Sequence, residues 1–288
     1  MRYEAPETVD QAVALLAAGE RARVLAGGTD LLVQLRSDRI DPDVVIDIKR
    51  IDGMRAIAES ENGFRIGAAV SAAELHEHAG VKAAWPGVAD AAYLIGSTQI
   101  QGRATLVGNL CNASPAADTV PALIAADATL SVAGPAGRRS IAAADLATAP
   151  GRTSLAPGEL IEAVLLPART ARSADAYLRF TPRTEMDIAV VGAAVNLSLG
   201  EDDRILSARV ALGAVAPTAV LVPEAAKALI GTAVDTAALD ALADACSTAC
   251  APIDDKRGTV AFRTEVAQVL AKRATRLAFD RALEGGRA

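Results

Sequence analysis

Val24-Leu-Ala-Gly-Gly-Thr-Asp-Leu-Leu32 is the stretch whose reading decides the fold. Arg23 to Ala26 reads as a short apolar strand that halts at two adjacent glycines. Thr29-Asp30 then stands directly before Leu31-Leu-Val-Gln-Leu-Arg36, a run of strong helix formers with the Thr29 hydroxyl at its N-cap. A strand that empties through bare backbone into a helix start collects unpaired N–H groups, and side-chain-free glycines let a diphosphate come close to them. The plainer reading is that Gly27 and Gly28 only supply the positive φ of a tight connection.

Working outward, Gly102-Arg-Ala-Thr-Leu-Val-Gly-Asn-Leu-Cys-Asn-Ala-Ser-Pro-Ala-Ala-Asp118 is a second dense run of small and polar residues. It turns through Ser114-Pro115 into an apolar helix, Pro121 to Ala126, with Asp118 near its start. Such a segment can present backbone amides and short side chains to a ligand. Before the first stretch, Thr8 and Gln11 form a capping box for a helix ended by Gly19; after it, Val44-Val-Ile-Asp-Ile48 reads as a strand covered on both faces. A βαβ-like unit of about fifty residues follows from that alternation.

The next section opens on the strand Phe64 to Gly67, and Ser71 with Glu74 caps a helix carrying His76 and His78, to which no chemical role is assigned. Ala83 to Ile95 reads as a helix interrupted early by Pro86. Ala128 to Val132 and Arg139 to Ile141 pair across Gly134-Pro-Ala-Gly137 as a hairpin, and Glu159 to Leu166 is a further strand. After the segment 167–174 the pattern changes to three strand-like runs, Tyr177 to Thr181, Ile188 to Leu199 and Ile205 to Val215. Helices follow at Pro223–Ile230, Thr236–Cys250 and Val260–Leu283. In the last of these, Phe262, Val266, Val269, Leu270, Leu277 and Phe279 recur at helical spacing and are expected to cover the sheet.

Composition narrows the class. The chain has 288 residues, 51% hydrophobic and 3% aromatic, with a net charge of −6. No apolar run approaches the ~18 residues of a membrane span. The start Met-Arg-Tyr-Glu-Ala-Pro has no apolar signal region, so a cytoplasmic address is expected. Scattered basic residues and few aromatics leave no nucleic-acid surface. Three cysteines and two histidines form neither a disulfide framework nor a metal site; Cys246 and Cys250, one turn apart, read as structural thiols. Gly-x-Gly-x-x-Gly is absent, so no Rossmann fingerprint exists.

The order of motifs closely resembles the FAD-binding medium subunit of the molybdenum hydroxylases, the xanthine dehydrogenase and aerobic carbon monoxide dehydrogenase family. The helix after Pro6, Ala26-Gly-Gly-Thr-Asp30, Gln99-Ile-Gln-Gly-Arg-Ala-Thr-Leu-Val-Gly-Asn109, Ser114-Pro-Ala-Ala-Asp118 and Arg183-Thr-Glu-Met-Asp-Ile-Ala189 fall in the family's order over nearly the whole chain. One departure stands at Val107, where the family usually keeps a glycine.

The resemblance implies an α+β fold. A vanillyl-alcohol-oxidase or PCMH-type FAD-binding domain would span 1–168, with two α/β subdomains of about 1–55 and 56–168. A small α+β domain of the carbon monoxide dehydrogenase flavoprotein type, with a three-stranded antiparallel sheet and helices, would span 175–288.

It further implies FAD contacts from Val24, Leu25, Ala26, Gly27, Gly28, Thr29, Asp30 and Leu31, and from Thr105, Leu106, Gly108 and Asn109. Backbone amides at 26–31 and 105–109 would hold the diphosphate, with the Thr29 and Thr105 hydroxyls as additional donors. Asp118 would accept from a ribose or adenine donor, Arg179 would stand near the flavin, and Ile95 would pack on it. Arg179 also reads as a strand-surface arginine, Ile95 as core, and Asp187 as the partner of Arg183. Cys111 is expected to make no covalent flavin link.

Partners implied are a large molybdopterin-binding subunit and a small subunit with 2Fe–2S clusters, assembled as a dimer of heterotrimers; this chain, lacking cluster cysteines, fits the flavin step alone. The rivals are a stand-alone vanillyl-type flavin oxidase, which would need its own substrate pocket, and a flavin-free binding module, favoured only by Val107.

Overall fold

The computed structural model describes residues 1–285; residues 286–288, the end of the expected C-terminal unit, lie outside the described residues. The chain opens with β1 (Arg2–Glu4), α1 (Val9–Ala18), β2 (Arg23–Leu25), α2 (Leu31–Arg36) and β3 (Val44–Asp47). The three strands form a parallel sheet in the order β1-β3-β2. All four residues of the central β3 are buried, which is why its apolar residues run without alternation. At the start of α1, Thr8 Oγ1 accepts the Gln11 N–H at 3.2 Å, while Gln11 Oε1 reaches past Thr8 to the Glu7 N–H at 3.0 Å. The polar β1, Arg-Tyr-Glu, has no apolar signal, and pairing with β3 alone makes it a strand.

A 3-10 turn (Ile48–Arg50) leads to β4 (Ile57–Ser60), β5 (Gly63–Gly67), α3 (Ala72–Glu77), α4 (Ala79–Ala84), α5 (Pro86–Tyr93), α6 (Thr98–Gln101), α7 (Leu106–Cys111) and α8 (Thr119–Ala125). Next come β6 (Thr129–Gly134), β7 (Gly137–Ala142), β8 (Ala147–Ala149), β9 (Arg152–Thr153) and β10 (Leu160–Pro167). Five of these strands make an antiparallel sheet, β4-β5-β10-β6-β7. The Ser71–Glu74 capping box is formed in both directions. Pro86 sits at the first turn of α5, so the expected 83–95 helix breaks at Trp85. His78 ends α3 and caps α4 by accepting the Val81 N–H, and His76 stacks on Tyr93. Both histidines are accounted for structurally.

The remaining chain forms β11 (Ser173–Phe180), β12 (Val191–Leu199), β13 (Ile205–Gly213), β14 (Val220–Leu221), α9 (Pro223–Leu229), α10 (Thr236–Ala249) and α11 (Val260–Gly285). The sheet is antiparallel with four strands, since the two-residue β14 adds to the three expected. Helix α11 covers it through Leu270, with Val266, Leu277 and Phe279 partly buried against the same core as expected, while Phe262 and Val269 turn outward and alanines fill the rest of the face. Phe262 and Val269 are 39% and 42% exposed, and the buried stripe is Ala267, Leu270, Ala271, Ala274, Ala278 and Ala282. Alanines win because they let the helix lie close against β11 and β12, whereas bulky residues there would hold it off.

Buried polar contacts tie this unit to the rest. The Arg169 guanidinium lies 3.7 Å over the Trp85 ring, and its Nη2 is 2.7 Å from Asp175 Oδ1. Asp175 Oδ2 accepts the Val88 N–H at 3.1 Å, and Arg281 pairs with Asp90 at 2.9 Å. No helix of the described residues is long and apolar enough to cross a membrane.

Candidate cofactor-binding site

The first cradle is the backbone between β2 and α2. Gly28 has φ +81°, a left-handed conformation that favours glycine. Asp30, not Thr29, occupies the N-cap of α2, and its side chain makes no cap bond. Helical bonding begins with Leu32 N–H to the Gly28 carbonyl at 3.0 Å. Among the described residues, the amides of Gly27, Gly28, Thr29 and Asp30 donate to no protein acceptor. A helix start explains such open donors.

The second cradle is the turn into α7. Thr105 caps it: its Oγ1 accepts the Gly108 N–H at 2.9 Å and its carbonyl accepts the Asn109 N–H at 3.0 Å. These two amides are therefore already spent within the cap, and among the described residues the open donors of this segment are those of Thr105, Leu106 and Val107. A Cβ at Gly108 would lie 2.9 Å from Thr105 Oγ1, so the bare backbone there serves the cap. Val107, despite its side chain, is 7% exposed and packs in the core. Asn109 Oδ1 accepts the Thr119 hydroxyl at 2.7 Å, joining the cradle to α8.

The two cradles touch. A Cβ on Gly27 would stand 1.8 Å from the Arg103 carbonyl oxygen and 2.6 Å from its carbon, so only a glycine lets the backbones lie this close. Both segments line one cavity of about 620 Å³, a size typical of cofactor sites. Val24, Ala26, Gly27, Gly28, Thr29, Asp30, Leu31, Ile95, Thr105, Gly108 and Asn109 all reach it. Leu25 and Leu106 do not line it; Leu106 is core. A further wall, Thr153 of β9, Leu160 and Ile161 of β10, and Gly151 and Leu155 in the loops flanking β9, carried no recognisable signal in the sequence. Cys111 and Asn112 also line it, and the Asn112 side chain donates to Asp30 Oδ1 across the cradles at 3.4 Å.

Asp118 and Arg179 lie outside that lining and bond to each other, Nη1 to Oδ2 at 2.8 Å, with the Tyr177 hydroxyl 3.0 Å from the other carboxylate oxygen. Burial pushes the Asp118 carboxyl up to about 6, against the pull of Arg179 and Tyr177. Arg179 is thus buried rather than on the strand surface. Burial pushes the Cys111 thiol up to about 12, which makes it a poor nucleophile toward a flavin. Asp187 accepts from the Arg183 amide at 3.2 Å, the structural pairing read from the sequence. A second, apolar cavity of about 400 Å³ lies beside Pro115, Ile188, Ile253 and Arg257. Among the described residues no group of histidine, cysteine and acidic side chains could hold a metal.

Two bare-backbone cradles on one cavity, carried by a parallel sheet and an antiparallel sheet, define an FAD-type dinucleotide-binding flavoprotein fold. The chain belongs to the FAD-binding medium-subunit family of the molybdenum hydroxylases: residues 1–169 match the FAD binding domain in molybdopterin dehydrogenase, and residues 176–278 match the CO dehydrogenase flavoprotein C-terminal domain. It is 34% identical to the carbon monoxide dehydrogenase medium chain of Hydrogenophaga pseudoflava over 97% of both chains. It is 30% identical to a putative xanthine dehydrogenase FAD-binding subunit of Escherichia coli (strain K12), covering 94% of this chain and 93% of that one. A chain of the carbon monoxide dehydrogenase structure from Hydrogenophaga pseudoflava superposes with a TM-score of 0.93 at 34% identity, covering 98% of each chain. A chain of quinoline 2-oxidoreductase from Pseudomonas putida 86 does so at 0.90 and 26%, again covering 98% of each chain.

Proposed function

We propose that the cavity between the two cradles holds FAD. The open amides of Gly27 to Asp30 and of Thr105 and Val107 would take the diphosphate, with the Thr29 and Thr105 hydroxyls as further donors. Ile95 and the β10 residues Leu160 and Ile161 supply apolar wall. The observation that carries this reading is the contact of Gly27 with the Arg103 backbone, because it makes one anion site out of two distant pieces of sequence. Asp118 and Arg179, one step from Asn109 through Thr119, would fix the second cradle from behind.

Bound FAD supplies redox chemistry that no side chain of this chain provides. The chain would bind and orient it as an electron-transfer subunit, between 2Fe–2S clusters of a small partner subunit and an external acceptor, in a dimer of heterotrimers with a large molybdopterin-binding subunit. Support comes from relatives that are themselves medium chains or FAD subunits matched over nearly their full length. On this reading the FAD-binding domain spans 1–168 and the C-terminal domain begins at 175. The test is to purify the chain alone and with its co-expressed neighbours. One FAD per chain and co-elution with iron- and molybdenum-containing partners are expected; a colourless chain that elutes alone would contradict the proposal.

A further inference from the structure

Lys49 lies in the 3-10 turn after β3 and outside the cavity lining, yet it bonds to the first cradle. Its Nζ donates to the Ala26 carbonyl at 3.0 Å and stands 2.8 Å from Asp47 Oδ1. Asp47 is buried; its Oδ1 also accepts the Lys49 N–H at 3.0 Å, and its Oδ2 accepts the Tyr3 hydroxyl at 2.6 Å. The ammonium is thus held from behind by a carboxylate that is itself fixed by two strands of the parallel sheet. Burial pushes the Asp47 carboxyl up, but the bonds from Lys49 and Tyr3 outweigh it and hold it below the usual carboxylate range.

The Ala26 carbonyl oxygen would repel a diphosphate if it turned into the cavity. A trans peptide carries its C=O and N–H on opposite edges, so the direction of the Ala26 carbonyl sets that of the Gly27 N–H. That N–H has no acceptor among the described residues, and Gly27 lines the cavity.

We infer that Lys49 is a positioning residue for the cofactor. By binding the Ala26 carbonyl it holds the Ala26–Gly27 peptide so that the Gly27 N–H is presented to the diphosphate. The inference rests on the FAD reading. A solvated lysine paired only with Asp47 would have no reason to reach Ala26, and its removal would leave cofactor affinity alone.

The test uses the full chain freed of flavin, titrated with FAD by flavin fluorescence, with melting of the apo chain measured in parallel. Lys49→Met is expected to weaken FAD binding about tenfold or more, the effect of losing one charge-assisted bond's worth of preorganisation. The apo melting temperature should fall by a few degrees, because buried Asp47 loses its charged partner, so FAD binding is measured well below the transition. Lys49→Arg, which keeps a donor and a charge, should stay within about threefold of the unmodified chain. Unchanged FAD affinity in Lys49→Met overturns the inference. So does an Arg variant as weak as Met. No FAD binding by the unmodified chain overturns the FAD reading itself and this inference with it.

Discussion

Replacing Gly27 by alanine tests the contact between the cradles. The added Cβ would start 1.8 Å from the Arg103 carbonyl oxygen, and ordinary contact begins near 3.4 Å, so the two backbones must part by 3.4 − 1.8, or about 1.6 Å. Neither obstacle is the end of a flexible side chain, so a rotamer change gives no relief. An amide placed about 2.9 Å from a phosphate oxygen would then lie near 4.5 Å, too far for a hydrogen bond. If two such charge-assisted bonds are lost, at about 1.5 kcal/mol each, the cost is about 3 kcal/mol, or roughly a hundredfold in FAD affinity. Overpacking would lower stability by about 1–3 kcal/mol, or some 2–4 °C in melting temperature per kcal/mol, so binding should be measured well below the transition. The assay is a fluorescence titration of apo chain with FAD, checked by circular dichroism. A folded Gly27→Ala chain with unaltered affinity would refute the reasoning.

Other outcomes follow from the same geometry. Gly28→Val, at φ +81°, should leave a folded chain that purifies without flavin, measured as the 450 nm absorbance per chain; stoichiometric flavin would count against the first cradle. Asp118 has a folded-state value near 6 against an ordinary 3.8, so the folded chain binds its proton more tightly than the unfolded one. Its contribution is therefore best at low pH and is lost as pH rises through that window. Relative to Asp118→Asn, the wild type should lose about 1.4 kcal/mol per pH unit between roughly 4 and 6, measured by urea unfolding. Arg169→Met leaves the buried Asp175 without its main partner and should cost about 3 kcal/mol in the same assay. Because the Cys111 thiol is pushed up to about 12, acid precipitation should release all flavin to the supernatant; flavin retained in the pellet would reveal a covalent link.

The local pieces of the site were legible because their signals are local. Gly27-Gly28 before a helix and the Ser71–Glu74 box each declare themselves within a few residues. What was not legible depends on contacts far apart in sequence. Asp118 and Arg179 were named separately, but only the packing of β11 against α8 brings them within 2.8 Å of each other. Thr105 was read as offering its segment's amides freely, whereas its own cap consumes those of Gly108 and Asn109. Helix α11 was read by its large apolar side chains, of which Val266, Leu270, Leu277 and Phe279 pack on the core, but the alanine stripe that completes the contact carried no signal. The strands β1 and β14 are too short and too weakly patterned to be seen before their partners are known.

The most direct measurement is a crystal structure of the chain with FAD. The diphosphate should lie within hydrogen-bond distance of amides from both segments, Gly27 to Asp30 and Thr105 to Val107, inside the cavity that Gly27 and Thr105 share. A diphosphate held by one segment alone, or a cofactor seated in the apolar cavity beside Ile188 and Ile253, would contradict the account.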